Sequence, residues 1–400
     1  MQVPLLDVNA QNLPLENELR EAFLRVLRSG QFILGPEVEA FEKSIASWLG
    51  VKDAIAVSSG TDALIVALLA LDIGPGHEVL CPSFTFFATA GAIARVGATP
   101  VFVDSCPVCF NINTQAALHK VTANTKAIIP VHLFGQSADM EGVQRLAEKC
   151  NLPVIEDAAQ ALGARTRDKF CGTIGDFGTF SFFPSKNLGG FGDGGLITTN
   201  DPALAQKARL IRVHGMHPRY HHHIIGGNFR FDPLQAALLS VKFPHYPQYT
   251  QGRQNNAQTY FNRLLESPKI VQASLNDCQC QKSPQVSSAD EQTASPAIIL
   301  PCEAPHNTHI WNQFTLRVLH NKRDALKNFL YERQIASEIY YPIPLHQQAC
   351  FNQLPPHSLT GLSVADQLAK EVLSIPIYPE LSSDQLNLVA DTILEFVNSE

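Results

Sequence analysis

Residues 153–160 read Pro153-Val154-Ile155-Glu156-Asp157-Ala158-Ala159-Gln160. An apolar run that ends in two carboxylates predicts a buried strand with charge at its C-terminal tip. Apolar runs of strand length recur on both sides, at 54–57, 78–81, 100–103, 127–131, 153–155, 179–182 and 195–198. Helical patterns separate several of them, at 61–71, 85–96, 140–150 and 202–213. Apolar strands alternating with helices predict an α/β fold whose mostly parallel central sheet is covered on both faces. Sheets of this kind bind ligands beyond the carboxyl ends of their strands, so strand-end polar residues are the functional candidates.

Two helices are expected ahead of the first strand. Leu19, Phe23 and Leu27 recur at helical spacing, and Gly30 stops that helix. Pro36 suits a first-turn position; Val38, Phe41, Ile45 and Leu49 share one face, and Gly50 follows. Beyond the large domain come a strand at 314–319, a helix at 324–334, a proline-rich turn at 341–346 and a closing helix at 383–397. The expected division is a large domain at 1–245 and a smaller C-terminal α/β domain at 246–400. Residues 267–307 interrupt the pattern. Their centre is rich in Ser, Gln, Ala and Asp and reads as a mobile insertion at about 275–300.

Composition narrows the class. A chain of 400 residues with 45% hydrophobic and 17% charged residues suits an ordinary two-domain globular protein. A net charge of −7 argues against nucleic acid or an anionic membrane as partner. The longest apolar run, 63–71, is far short of the roughly 20 residues that cross a bilayer. The first residues lack a basic segment followed by an apolar run, so a cytoplasmic protein is expected. Nine cysteines scattered over this length form no disulfide framework. Cys106-x-x-Cys109 and Cys278-x-Cys280 lack the second ligand pair that a zinc site needs, and consecutive His221, His222 and His223 cannot all face one ion. No metal is expected.

Three segments carry candidate chemistry. Ser58-Ser59-Gly60-Thr61-Asp62-Ala63-Leu64 follows a strand and opens an apolar helix, where free N–H groups and the helix dipole suit a phosphate. It also reads as an ordinary N-cap by Ser59 or Thr61. Glu156 and Asp157 end a strand, where a carboxylate could bind metal, act as base or pair with a cationic ring nitrogen; a plain pair of helix-start acids reads the same way. Lys186, in Ser181-Phe182-Phe183-Pro184-Ser185-Lys186-Asn187-Leu188-Gly189-Gly190, sits among apolar and small residues. Burial there would lower its pKa and make it a nucleophile; the ordinary alternative is a solvated surface lysine. Together, an anion cradle, a strand-end acid and a strand-end lysine are what pyridoxal 5'-phosphate requires.

The chain resembles the DegT/DnrJ/StrS family of nucleotide-sugar aminotransferases, which are fold-type I pyridoxal-phosphate enzymes. The resemblance rests on ILGPEVEAFE from Ile33, SSGTDAL from Ser58, PSFTFFATA from Pro82, AIIPVHLFG from Ala127, VIEDAAQALGA from Val154, SFFPSKNLGGFGDGG from Ser181, GGNFRFDPLQAA from Gly226 and YYPIPLH from Tyr340. It covers about 3–398, apart from the insertion. It implies that Gly60, Thr61 and Ser181 hold the cofactor phosphate, that Phe86 lies on the ring, and that Asp157 pairs with the ring nitrogen. It further implies that Gln160 contacts the phenolic oxygen and that Lys186 is the Schiff-base lysine. Asn228 and Arg230 would reach the phosphate region of the partner's site in a homodimer with shared active sites. The ordinary reading of that turn is a local pair between Arg230 and Asp232. L-Glutamate is the implied donor, and a dTDP- or UDP-linked keto sugar the acceptor.

The run after Lys186 resembles the branch that aminates 3-keto sugars; a 4-keto acceptor is the alternative. Relatives that dehydrate sugars carry histidine where this chain has Lys186. A distant alternative is a non-catalytic, ligand-sensing regulator, which predicts an attached DNA-binding domain; with the fold expected to start within about 20 residues of Met1, none is expected.

Overall fold

The computed structural model describes residues 1–274, 296–304 and 306–399. Most of the expected insertion at 275–300 lies outside these residues, as do Cys278 and Cys280.

The chain opens with α1 (Val8–Asn12), α2 (Glu16–Ser29) and α3 (Pro36–Leu49). Gly30 and Gly50 end α2 and α3 at φ of 65° and 70°, which glycine adopts without a Cβ penalty. On α3 the expected face of Val38, Phe41, Ile45 and Leu49 is buried. On α2 the expected stripe is corrected. Leu19 is buried together with Ala22 and Val26, whereas Phe23 is 44% and Leu27 51% exposed. The helix lays its smaller residues against Ala237, and the bulky pair stays outside, because side-chain size at the contact sets how closely helices approach.

Helix and strand then alternate as the apolar runs predict: β1 (Asp53–Val57), α4 (Gly60–Ala70), β2 (Glu78–Pro82), α5 (Ala88–Arg95), β3 (Thr99–Val103), α6 (Thr114–Leu118), β4 (Thr125–Ile128), α7 (Met140–Cys150) and β5 (Ile155–Asp157). A small hairpin of β6 (Arg165–Thr166) and β7 (Lys169–Phe170) leads to β8 (Phe177–Ser181), β9 (Gly195–Thr199) and α8 (Pro202–Arg212). Two ladders, β3-β2-β4 and β5-β8-β9-β1, meet through parallel bridges between Ile128 and Val154 and between Val131 and Asp157. In the resulting order β3-β2-β4-β5-β8-β9-β1, β9 alone runs against the rest. The carboxyl ends of β1, β5 and β8 therefore open on one edge. Helix α4 is buried on nearly every side, from Ala63 to Leu68 and at Ala70, so it shows no polar stripe.

Next come α9 (Pro233–Lys242) and α10 (Tyr246–Leu264). The rest of the chain contributes β10 (Ile270–Gln272), β11 (Ile298–Leu300), β12 (Asn307–Thr308), β13 (Phe314–Val318), α11 (Arg323–Glu332), α12 (Pro356–Leu359), α13 (Ser363–Glu371), β14 (Val372–Ile375) and α14 (Ser383–Ser399). A second sheet has the order β10-β11-β13-β14. The parallel pair β10 and β11 lies inside the stretch expected to interrupt the fold. Strands of three residues are too short to display a period. A division near residue 245 is our proposal. Many residues from 257 onward form a second core, which Val3 joins by pairing with Ile335, while Ile310, Leu345, Phe351 and Leu362 pack into the cores of the first part.

A buried ion-pair network braces β1. Glu42, 6% exposed on α3, accepts from Ala56 N at 2.8 Å, Arg212 Nη1 at 2.6 Å and Arg209 Nη1 at 3.0 Å. Removing one partner of a buried pair leaves an uncompensated charge. Glu42→Ala should therefore lower unfolding free energy by about 3–5 kcal/mol, measured by urea denaturation. A loss under about 1 kcal/mol would mean that solvent screens the network as it does surface pairs.

Candidate active site

The anion cradle is built where β1 stops. Ser59 caps α4, its hydroxyl accepting from Asp62 N at 3.0 Å, so the ordinary capping role is present. The Ser58 hydroxyl donates to Asp62 Oδ2 at 2.6 Å, which ties that carboxylate back. Gly60 and Thr61 open the helix, where first-turn N–H groups have no intrahelical acceptor and meet the positive end of the dipole. A Cβ on Gly60 would lie 2.8 Å from Ser181 Cβ, so the tip of β8 packs directly on the cradle and only glycine fits. The fold thus brings Gly60, Thr61 and Ser181 together.

Glu156 and Asp157 part company because successive strand residues face opposite sides of a sheet. Glu156 is fully buried and accepts from Gly172 N, Ile174 N and Gly175 N at 2.8, 2.6 and 2.7 Å. It also accepts from His132 Nε2 at 2.8 Å, while His132 Nδ1 accepts from Ala138 N at 3.0 Å. Its oxygens are committed to structure. Asp157, 5% exposed, accepts from Thr89 Oγ1 at 2.8 Å and from Ala159 N at 3.2 Å. Burial pushes its pKa up, and those two donors, with Lys186 and His132 nearby, pull it back.

Gln160 has one end fixed. Its Oε1 accepts from Phe134 N at 2.7 Å, which leaves the amide NH₂ as the donating end, and that end reaches Tyr341 Oη at 3.3 Å. Phe86 is 58% exposed and stands 6.1 Å from the Tyr341 ring, offering a flat apolar face. The roles of Thr89 and Tyr341 were missed from the sequence. Both lie in quoted motifs, PSFTFFATA and YYPIPLH, but nothing local marks them as neighbours of Asp157 and Gln160.

Lys186 sits five residues beyond β8 in a turn held from several sides. Lys186 N donates to Phe183 O at 2.8 Å, and Gly190 N to Phe182 O at 2.7 Å. Asn187 donates to Ile310 O at 3.0 Å and accepts from Asn312 Nδ2 at 2.7 Å. The buried Lys242 ammonium donates to Gly189 O at 2.6 Å. Burial lowers the Lys186 amine to about 8, against the opposing pull of Asp157. Lys186 is half-buried rather than fully solvated.

Asn228 and Arg230 run beside the cradle. Val213 bridges to Asn228 and Val57 to Arg230, and Ser58 N donates to Phe229 O at 3.1 Å. Among the described residues, Arg230 forms no ion pair with Asp232, and its Nε has no hydrogen-bond partner. Among the described residues, no group of three or more His, Cys, Asp or Glu side chains is placed to hold a metal ion, and no helix is long and apolar enough to cross a membrane.

These residues fit pyridoxal phosphate. The test is the glycine cradle that a Cβ would fill, with an acid and a depressed lysine on the same sheet edge. A neutral amine is the form that attacks an aldehyde. Cofactor-free protein should therefore join pyridoxal phosphate faster as pH rises through about 8, where Lys186 loses its proton. Stopped-flow absorbance of reconstitution against pH checks this. A midpoint near the ordinary lysine range of about 10.4 would contradict the burial.

Residues 14–394 match the DegT/DnrJ/EryC1/StrS aminotransferase family. The chain is 46% identical to a Geobacillus stearothermophilus protein named pleiotropic regulatory protein, over 99% of both chains. It is 43% identical to the UDP-N-acetyl-3-dehydro-alpha-D-glucosamine 3-aminotransferase of Acidithiobacillus ferrooxidans, covering 98% of this chain and 97% of that one. The crystal structure of Streptomyces venezuelae DesV, in complex with a ketimine intermediate, superposes with a TM-score of 0.88 at 37% identity, covering 99% of this chain and 98% of that one. With the match running nearly end to end, this chain belongs to the DegT/DnrJ/EryC1/StrS aminotransferase family.

Proposed function

We propose that this protein uses pyridoxal 5'-phosphate to move an amino group from L-glutamate to the C3 keto group of a dTDP- or UDP-linked sugar. The observation that carries the reading is the convergence of Gly60, Ser181, Asp157 and Lys186 on one sheet edge. When bound, the cofactor supplies an electron sink for the carbanion at the donor's α-carbon. The chain does the rest. Gly60, Thr61 and Ser181 hold the phosphate, and Phe86 covers the ring. Asp157 keeps the ring nitrogen protonated, and the Gln160 NH₂ donates to the phenolic oxygen. Lys186 would hold the cofactor and, with its amine free, would carry the proton away from the donor's α-carbon as general base.

The C3 preference rests on the run after Lys186 and on the 3-aminotransferase of Acidithiobacillus. The name of the Geobacillus relative favours a second reading, a regulatory role. One experiment separates them. Wild-type protein is incubated with glutamate and a panel of 3-keto and 4-keto nucleotide sugars, and products are identified by mass and NMR. Amination of a 3-keto sugar is expected. Turnover only of 4-keto sugars would correct the acceptor, and cofactor binding without any turnover would favour the regulatory reading.

The working unit is proposed to be a homodimer whose sites share residues. Support comes from large apolar side chains left exposed on the single chain: Phe23, Leu27, Phe32, Ile33, Phe183 and Phe191. Arg230, whose Nε has no hydrogen-bond partner among the described residues, would supply a fork that suits the partner's phosphate. Lys186→Ala alone should lower turnover roughly 10³-fold or more, as loss of a covalent-catalysis group does. Mixing it with the Asn228→Ala, Arg230→Ala double variant should restore activity above either parent, because a two-fold interface gives mixed dimers one intact site. Strictly additive activity, with subunit exchange confirmed by mass analysis, would mean that each site is built from one chain.

A further inference from the structure

The best-defined contact to Asp157 comes from a residue with no assigned role. Thr89 is fully buried in the first turn of α5, and its hydroxyl donates to Asp157 Oδ2 at 2.8 Å. A threonine hydroxyl has a single proton, and here it is spent on this carboxylate. The other oxygen takes only the longer bond from Ala159 N, at 3.2 Å. Thr89 N in turn donates to Phe86 O at 3.3 Å, so one helical turn carries both the exposed aromatic face and the donor that orients the acid. A helical threonine has two accessible χ1 rotamers, and here the hydroxyl takes the one that reaches Asp157.

A buried carboxylate is costly to keep ionised, and a hydrogen bond to its charged form offsets that cost. The donor also sets where a shared proton rests. With the hydroxyl present, Asp157 is a weaker base, so a proton between it and a ring nitrogen stays on the nitrogen. Without the hydroxyl, Asp157 becomes more basic, draws the proton to itself and lowers the positive charge of the ring.

We infer that Thr89 is a positioning residue that holds Asp157 anionic and aimed, so that the ring of a bound pyridoxal cofactor stays cationic. This rests on the cofactor assignment proposed above.

The test compares Thr89→Val, Thr89→Ala and Thr89→Ser in cofactor-loaded protein. Without substrate, the NMR shift of a ring-¹⁵N-labelled cofactor reads the protonation of that nitrogen. Thr89→Val should move it toward the neutral-ring value, while Thr89→Ser, which keeps the hydroxyl, should stay near wild type. With substrate, kcat of the donor half-reaction should fall roughly 10- to 100-fold in Thr89→Val with KM little changed, the size expected for one lost hydrogen bond to a charged group. Thr89→Ser should recover most of it. If Thr89→Val does not fold, the contrast between Thr89→Ala and Thr89→Ser isolates the hydroxyl. Unchanged ¹⁵N shift and kcat in Thr89→Val would overturn the inference, as would equal losses in the Ala and Ser variants. Failure of wild-type protein to aminate any keto sugar would sink the proposed function alone, because the ¹⁵N shift reads Thr89 without turnover.

Discussion

The carboxylate of Asp157 stands at the tip of a parallel strand, almost out of reach of water, between a threonine hydroxyl and a backbone N–H. An ionised group in that position survives only if its surroundings replace the water it has lost. The parallel register sets the arrangement. Asp157 pairs with Thr179 of β8, and Asp157 N donates to Pro130 O while its own carbonyl accepts from His132 N. The strand is thus gripped on both sides, and its last side chain has little freedom left. Glu156, one residue earlier, meets the same desolvation on the other face and resolves it with three backbone donors and an imidazole. The two carboxylates differ in function because the pleat turns one inward to structure and the other to the open edge.

The lysine loop depends on both halves of the molecule. Its Asn187 is tied to Ile310 and Asn312, and the buried Arg253 of α10 donates to the carbonyls of Trp311, Asn312 and Ile377. A chain of buried polar groups therefore runs from the Lys186 turn into the C-terminal part, with Asn312 Oδ1 and Arg253 Nε left without a hydrogen-bond partner among the described residues. The cradle, by contrast, depends on the end of β1, the start of α4, the tip of β8 and the segment 228–230 beside them. Anion holding and amine placement are therefore supported by different parts of the fold. The overall charge of −7 plays no part in either. In the proposed site, a few N–H groups at a helix start and the Arg230 guanidinium would set the local field more strongly than distant, screened surface charges.

Apolar runs, helix stops and glycines were legible without a structure, because strand and helix periods are properties of neighbouring residues. The seven strands of the main sheet, α7 and the buried face of α3 follow from them to within three residues. So does the presence of Gly60, Asp157 and Lys186 on one edge, since parallel strands share a direction. What only the tertiary structure decided needs a partner distant in the chain. Glu156 and Asp157 are adjacent acids in sequence, and their roles separate through contacts with residues 132 and 172–175 on one side and 89 on the other. The amide of Gln160 takes its orientation from Phe134 N, and Thr89 finds Asp157 across 68 positions. The outward turn of Phe23 and Leu27, and the reversal of β9, likewise come from what packs beside them. Hydrophobic period reports which face an element can bury; which neighbour it meets, and which polar atom is left to act, is set by packing between segments far apart in the chain.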